Sequence, residues 1–106
     1  MPSLQHFELH VLLAMLLQPG ETYSVPLVLE LERRTGRPVS QAAVFITLGR
    51  LEKKGLVVSR LEEPAGGRTR RYFKLTRAGL VAVKEQRLEH VRLWRGLDRL
   101  LKVARH

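Results

Sequence analysis

The spacing of apolar residues changes twice along the chain, and the order of these spacings limits the folds available to it. Apolar residues recur every three or four positions up to residue 51, which is typical of amphipathic helices. Between residues 56 and 75 they alternate within two short runs, as in strands, and after residue 77 the helical spacing returns. The sequence therefore predicts three helices, a β-hairpin and a final helix.

Capping residues and glycines mark the ends of the first three helices. We expect the first helix at residues 4–17. The second begins with Ser24 as N-cap and ends at Gly36, and the third begins with Ser40 as N-cap and ends at Gly55. Each helix has a stripe predicted to be buried: Leu4, Phe7, Val11, Ala14 and Leu17 on the first, Leu27, Val28 and Leu31 on the second, and Val44, Leu48 and Leu51 on the third.

The hairpin and the last helix follow from residue 56 onward. Residues 56–61 and 70–75 are rich in β-forming side chains, and the turn-forming segment EEPAGGRT joins them. Thr76 is a suitable N-cap for one long helix that extends from Arg77 to about Ala104 and contains Gly79 and Gly96. The predicted fold is mainly α (α+β), a winged helix-turn-helix with three helices, a two-stranded wing and a long C-terminal helix.

The charge of the chain is uneven and favours a polyanionic partner. The 106 residues include 19 Lys and Arg against 10 Asp and Glu, for a net charge of +9. Residues 1–40 carry three basic and four acidic side chains, so the positive charge belongs to the later part of the chain. The length allows one domain, and the lack of cysteine excludes disulfides and thiolate chemistry. The apolar run VLLAMLL is too short to span a bilayer, so we expect no membrane contact, and the absence of cysteine fits a cytoplasmic protein.

Three segments of the sequence resemble the PadR family of transcriptional regulators. They are GETYSVPLVLELERRTGR on the second helix, VFITLGRLEKKGLV from the third helix into the first strand, and GGRTRRYFKLTRAG through the wing. The resemblance implies a repressor that binds double-stranded DNA as a homodimer. Residues 1–76 would form the DNA-binding domain, and residues 77–106 the dimerisation helix, in one structural unit. Many relatives have a tyrosine where this sequence has Phe45, which has no hydroxyl to donate to phosphate.

The third helix is the candidate recognition helix, because such a helix enters the major groove with its N-terminal residues nearest the bases. Burying its apolar stripe turns Ala42, Ile46 and Gly49 outward, together with two cations. Small side chains permit close approach to DNA, although they would equally tolerate a crowded neighbouring helix. An ion pair between Arg50 and Glu62 is the alternative to a phosphate contact. The predicted DNA-binding residues of this helix are Ser40, Gln41, Ala42, Ala43, Thr47, Arg50 and Lys53.

The wing and the last helix supply two further candidate surfaces. Alternation along the second strand directs Phe73 and Leu75 toward the core and the cationic side chains away from it. The predicted DNA-binding residues of the wing are Arg68, Thr69, Arg70, Tyr72 and Lys74. The last helix carries an apolar stripe too long to be buried on a small domain, so we expect it to pair with a second copy of the chain. The predicted interface residues, which also form the candidate effector site, are Leu88, Val91, Trp94, Leu97 and Leu101.

Other classes of function have weaker support in the sequence. His6 and His10 lie one helical turn apart, but no third metal ligand is evident, so we expect neither a metal nor a cofactor. No serine, lysine or histidine has a recognisable catalytic partner, and we expect no enzymatic activity. Trp94 has two possible interpretations: it packs at an interface, or it forms a wall of a pocket for an aromatic or lipophilic effector. The rival to DNA binding is a winged helix that contacts RNA or protein without operator specificity.

Overall fold

The computed structural model describes residues 4–63 and 67–104, with side chains as far as residue 102. The first three residues, residues 64–66 of the predicted linker and the last two residues lie outside this description. The order of elements agrees with the predicted winged helix-turn-helix. The elements are α1 (His6–Leu16), α2 (Ser24–Thr35), α3 (Gln41–Lys53), β1 (Val57–Glu62), β2 (Arg70–Leu75), α4 (Arg77–Trp94) and α5 (Leu97–Ala104).

The core lies where α1, α2 and α3 meet the hairpin. Most of the predicted helical stripe residues are buried, and Phe73 of β2 closes the core from the side of the hairpin. Leu17 was predicted to be buried, but it follows the end of α1 and is 45% exposed. The buried apolar residues are Val11, Leu12, Ala14, Met15, Leu27, Leu31, Val44, Leu48, Leu51, Leu56, Val57, Phe73 and Ala82.

Local capping sets the start of α3 and the end of α2. The Ser40 hydroxyl accepts a hydrogen bond from the Ala43 N–H at 3.1 Å, as predicted for an N-cap. Gly36 ends α2 with a φ of 70°, a left-handed conformation that favours glycine. The prediction for the start of α2 was wrong by one residue, because Tyr23 occupies the N-cap position and Ser24 is already helical.

The hairpin is a two-stranded antiparallel sheet that pairs Val57 with Leu75 and Glu62 with Arg70. A third segment extends it, because Thr22 forms a bridge to Phe73 on the free edge of β2. The Thr22 N–H donates to the Phe73 carbonyl at 3.0 Å, and the Phe73 N–H donates to the Thr22 carbonyl at 2.7 Å. The chain between α1 and α2 is thereby tied to the wing.

The first turn of α4 is fastened to the peptide that follows α3. The Thr76 N–H donates to the Leu56 carbonyl at 3.1 Å, and the Thr76 hydroxyl donates to the Gly55 carbonyl at 2.7 Å. The same hydroxyl accepts from the Gly79 N–H at 3.0 Å, so Thr76 is the predicted N-cap of α4. Gly79 lies directly against the Leu56 carbonyl, and any side chain at this position would meet that oxygen.

The predicted single C-terminal helix is wrong in one respect, because the chain forms two helices there. α4 ends at Trp94, Arg95 leaves the helical conformation with a ψ of 120°, and Gly96 takes a φ of 79° before α5 begins. A glycine at positive φ is a common helix stop, which explains the break at this position. Most of α4 and all described side chains of α5 project from the core, and the molecule measures 61 × 30 × 22 Å. Within the described ranges, no helix is long and apolar enough to cross a membrane.

Candidate nucleic-acid interface

The N-terminal turn of α3 is open to solvent. Ser40, Gln41 and Ala42 are exposed and Ala43 is half-buried. The Gln41 side chain donates a hydrogen bond to the Ser24 hydroxyl at 3.3 Å, which ties the start of α3 to the start of α2. Its amide oxygen and second N–H remain available for a base edge.

The outward face of α3 is apolar and uncrowded. Ile46 is 56% exposed, and Phe45 is half-exposed with its ring edge-on to Phe73 at a centroid distance of 6.2 Å. A methyl group added to Gly49 would meet no atom of the described residues within 4 Å, so a crowded neighbouring helix within the chain does not explain this glycine. Thr47 corrects the predicted DNA-binding set, because it is only 5% exposed and lies on the buried side beside Leu48.

The two cations at the end of α3 point into solvent. Arg50 and Lys53 are exposed, and neither forms an ion pair with the described residues. The alternative pairing of Arg50 with Glu62 is therefore wrong, and Glu62 contacts Arg60 instead, at 3.5 Å. Both side chains keep their donors free for a polyanion.

A buried ion pair joins α1 to the residue after α3. Glu8 is 2% exposed, and its carboxylate accepts hydrogen bonds from Lys54 Nζ at 2.7 Å and from the Gln5 N–H at 2.9 Å. Burial by itself raises the pKa of Glu8, but these hydrogen bonds and the positive charge of Lys54 outweigh it and lower the pKa below its ordinary value. The pair fixes the C-terminal end of the candidate recognition helix against α1.

The wing presents cations along its outer face and at its tip. Arg68, Thr69, Arg70 and Lys74 are exposed and Tyr72 is half-buried, while Phe73 points inward as predicted. The Thr69 hydroxyl donates to the Glu63 carboxylate at 3.1 Å across the described part of the tip.

The inner face of the wing is held to α3 by hydrogen bonds. Arg71 donates to the Ser59 hydroxyl at 2.9 Å, and Ser59 donates through both its hydroxyl and its N–H to Glu52, at 2.8 and 3.1 Å. This relay fixes the angle between the wing and the candidate recognition helix.

Arg60 anchors the outer face of the wing to the chain before α2. It donates two hydrogen bonds to the Glu21 carboxylate, at 2.8 and 2.7 Å, and its guanidinium lies 5.1 Å from the centre of the Tyr72 ring. The hydrogen bonds from Arg60 lower the pKa of Glu21 and raise that of Arg60. This forked pairing uses the donors of Arg60 within the protein, so Arg60 is not a free DNA contact.

The predicted interface stripe lies on α4 and α5 and is uncovered in the single chain. Its five residues are between 41% and 54% exposed. His90 and Trp94 lie side by side with ring centres 5.8 Å apart, at one edge of an open cleft of about 500 Å³ around the break between the two helices. The residues of the stripe are Leu88, Val91, Trp94, Leu97 and Leu101.

Sequence reasoning missed the contacts that hold these surfaces in place. The pair of Glu8 with Lys54 joins residues far apart in the chain, and no local pattern announces it. The bridge at Thr22 was not predicted because the segment GETYS has the pattern of residues that precede a helix. Within the described residues there is no group of three or more side chains arranged to hold a metal ion.

Comparison with known proteins identifies the family. The model of the transcriptional regulator PadR-like family matches residues 12–85, while a search of the curated proteins gave no match. A PadR family transcriptional regulator from Eggerthella lenta has 27% identity and a TM-score of 0.72, over 90% of this chain and 87% of that chain.

Two less similar structures share the fold. The PadR-like regulator of Bacillus cereus has 23% identity and a TM-score of 0.71, over 90% of each chain. The RosR protein of H. salinarum has 20% identity and a TM-score of 0.72, over 96% of this chain and 91% of that chain. Since the family model covers most of the winged helix and enters α4, the chain belongs to the PadR-like family of DNA-binding transcriptional regulators.

Proposed function

We propose that this regulator is a repressor that binds an operator sequence as a homodimer and is released by a small aromatic or lipophilic effector. The observation that carries the proposal is that this member of the family has two separate exposed surfaces. One surface joins the exposed face of α3, with its small and apolar side chains, to the cations at the end of α3 and along the wing, and the other surface is apolar along α4 and α5. A polyanion suits the first surface, and a second copy of the chain suits the other.

The DNA contacts divide into base-reading and phosphate-binding groups. The first turn of α3 has small side chains and Gln41, whose amide suits an adenine edge, and Ile46 lies exposed one turn further. Arg50 and Lys53 would contact phosphates and set the register of the helix. The wing would grip the adjacent backbone through Arg68, Thr69, Arg70, Tyr72 and Lys74.

The homodimer is supported by the exposed stripe on α4 and α5. Leu100, next to Leu101 on α5, is 61% exposed, so the exposed apolar side chains of α5 are not limited to the predicted residues. A contiguous apolar surface of this kind is unfavourable in water and favours an interface. Residues 77–106 would serve as the dimerisation segment of the winged-helix domain at residues 1–76. A monomer in light scattering at micromolar concentration contradicts this part of the proposal.

The effector site is proposed at the cleft beside Trp94. The ring of Trp94 is partly exposed, and His90 and Val91 line the same cleft. A second copy of the chain would close this open cleft into a pocket with flat aromatic walls. Titration of aromatic and lipophilic compounds should quench or shift Trp94 fluorescence and weaken operator binding together. The absence of any response across a broad panel argues against an effector at this place.

The DNA-binding proposal is tested with an Arg68→Ala/Arg70→Ala variant against the duplex that contains the promoter of its own gene. Each lost phosphate contact lowers the slope of log affinity against log salt by about one unit, so we expect a slope smaller by about two. The matched control is Arg33→Ala/Arg34→Ala, which removes the same charge from side chains already paired with Glu30 on α2. An equal loss in both variants would mean that only net charge matters.

Competition separates operator binding from the rival function. An excess of duplex of unrelated sequence should leave most of the promoter complex intact, and an RNA duplex should compete weakly. Equal competition by RNA, or by any DNA sequence, would favour a winged helix without operator specificity.

A further inference from the structure

The chain before α2 forms part of the outer face of the wing. Because Thr22 pairs with Phe73, the strand alternation turns Thr22 into the core, where it is 3% exposed. Its neighbours Glu21 and Tyr23 then lie on the opposite face, beside the outward side chains of the hairpin. The start of α2 and the wing thus share one surface.

On this surface Arg70 lies over the ring of Tyr23. The guanidinium carbon is 4.1 Å from the ring centre, well within the range of a cation–π contact. Tyr72 supports both partners, with its ring edge-on to Tyr23 at 5.7 Å and its hydroxyl 3.5 Å from an Arg70 nitrogen. Arg70 nevertheless remains exposed, and it forms no ion pair within the described residues.

A guanidinium held over an aromatic ring can still donate hydrogen bonds from its edge. The ring covers one face of the group, whereas the N–H bonds radiate from its edge, where two of them match the oxygens of a phosphate. An arginine on an exposed strand otherwise loses much rotamer freedom when it binds. Contact with Tyr23 restricts Arg70 before DNA arrives, so less conformational entropy is lost on binding.

We propose that Tyr23 is a positioning residue for DNA binding, which holds the Arg70 guanidinium over its ring at the start of α2 so that the N–H donors of Arg70 meet a backbone phosphate. The inference rests on the proposed function, in which the wing grips DNA. Tyr23 itself touches no phosphate in this scheme and acts through Arg70. It also ties the orientation of the wing to α2, the first helix of the helix-turn-helix pair.

The test is a set of affinity measurements on a DNA duplex of mixed sequence with the full chain. We expect Tyr23→Leu to weaken binding by about two- to fivefold, the range that corresponds to an exposed cation–π contact. Tyr23→Phe keeps the ring and should bind like the parent protein. Arg70→Ala should weaken binding further, and Tyr23→Leu combined with Arg70→Ala should bind no more weakly than Arg70→Ala alone.

Two additional measurements guard against a simple loss of structure. Arg70→Lys keeps the charge at an exposed position but has no planar face, so it should lose as much affinity as Tyr23→Leu. In the free protein, the Arg70 side-chain N–H resonance should carry a ring-current shift that disappears in Tyr23→Leu and persists in Tyr23→Phe.

The outcomes distinguish this inference from the proposed function. If Arg70→Ala weakens binding while Tyr23→Leu or Arg70→Lys binds like the parent, the wing contact stands and the positioning role is overturned. An equal effect of Tyr23→Leu with and without Arg70 overturns it too, because Tyr23 would then act by another route. If Arg70→Ala leaves affinity unchanged, the proposed wing contact is wrong and the positioning role falls with it.

Discussion

Replacing Gly79 by alanine should destabilise the protein, although alanine is the better helix former. Gly79 lies in the first turn of α4, where a Cβ atom would collide with the Leu56 carbonyl oxygen. The same Cβ would lie 3.1 Å from a methyl group of Leu75 and 3.2 Å from the Leu56 carbonyl carbon. The main obstacle is backbone that is already hydrogen bonded to Thr76, so it cannot yield as a side-chain tip would.

The expected change is the difference between two opposing terms. Alanine stabilises a helix interior by about 0.5–1 kcal/mol relative to glycine. Overpacking a tight site costs about 1–3 kcal/mol, and contact with backbone places this site toward the upper end. We therefore expect the free energy of unfolding of Gly79→Ala to fall by about 1–2 kcal/mol.

A second helical glycine provides the matched control. A Cβ at Gly49, in the interior of α3, meets no atom of the described residues within 4 Å. Gly49→Ala should therefore raise the free energy of unfolding by about 0.5–1 kcal/mol. The two variants carry the same chemical change and are predicted to have opposite signs.

Denaturant unfolding followed by far-ultraviolet circular dichroism measures both variants. All samples need the same protein concentration, since assembly into dimers would add to apparent stability. The midpoint should fall for Gly79→Ala and rise for Gly49→Ala, with unchanged slopes. If Gly79→Ala is as stable as Gly49→Ala, the close packing of α4 against the Leu56 carbonyl does not exist in solution.

Three further changes should alter stability in defined ways. Glu8→Gln removes the negative charge that pairs with Lys54 and should cost about 2 kcal/mol, below the ~3–5 kcal/mol of a fully buried pair because Lys54 is partly exposed. The folded pKa of Glu8 lies below its ordinary value of 4.5, so the pair stabilises the fold above that pH. The difference between the parent and Glu8→Gln should shrink as pH falls through the folded pKa, and a difference independent of pH contradicts this. Ser40→Ala removes the N-cap of α3 and should cost about 1 kcal/mol in denaturant unfolding, whereas Ser40→Asp should restore most of it. Gly96→Ala forces a side chain into a left-handed conformation and should cost about 1 kcal/mol or extend α4, and circular dichroism distinguishes the two because only the extension adds helix.

The sequence predicted the elements with a strong local signal. Helical spacing located the stripes of α1, α2 and α3, and the change to alternation located both strands to within a residue. Ser40, Gly36 and Thr76 have the predicted capping roles, because a cap depends on the few residues around it. The inward direction of Phe73 followed from alternation alone.

The errors have different causes, and only some of them involve interactions between distant segments. The apolar stripe continues across Gly96, so the pattern concealed a break that the backbone makes there. The buried side of α3 is wider than three residues, and it includes Thr47 next to Leu48. The contact of Tyr23 with Arg70 depends on a bridge between distant segments, which no periodicity reveals.

Gly79 packs directly on the Leu56 carbonyl, so α4 is attached to the domain next to the end of α3. A tilt of α4 would therefore pivot about this contact. Between Gly79 and Trp94 the helix rises by about 22 Å at 1.5 Å per residue. A tilt of about 10° about the contact at Gly79 would move the Trp94 end of α4 by about 4 Å. In the proposed dimer, if it is joined at those far ends, the same tilt would move the two α3 helices relative to each other. Their separation would then have to match half-sites about 34 Å apart on DNA. The packing contact at Gly79 would thus influence the distance between the two recognition helices of the proposed dimer.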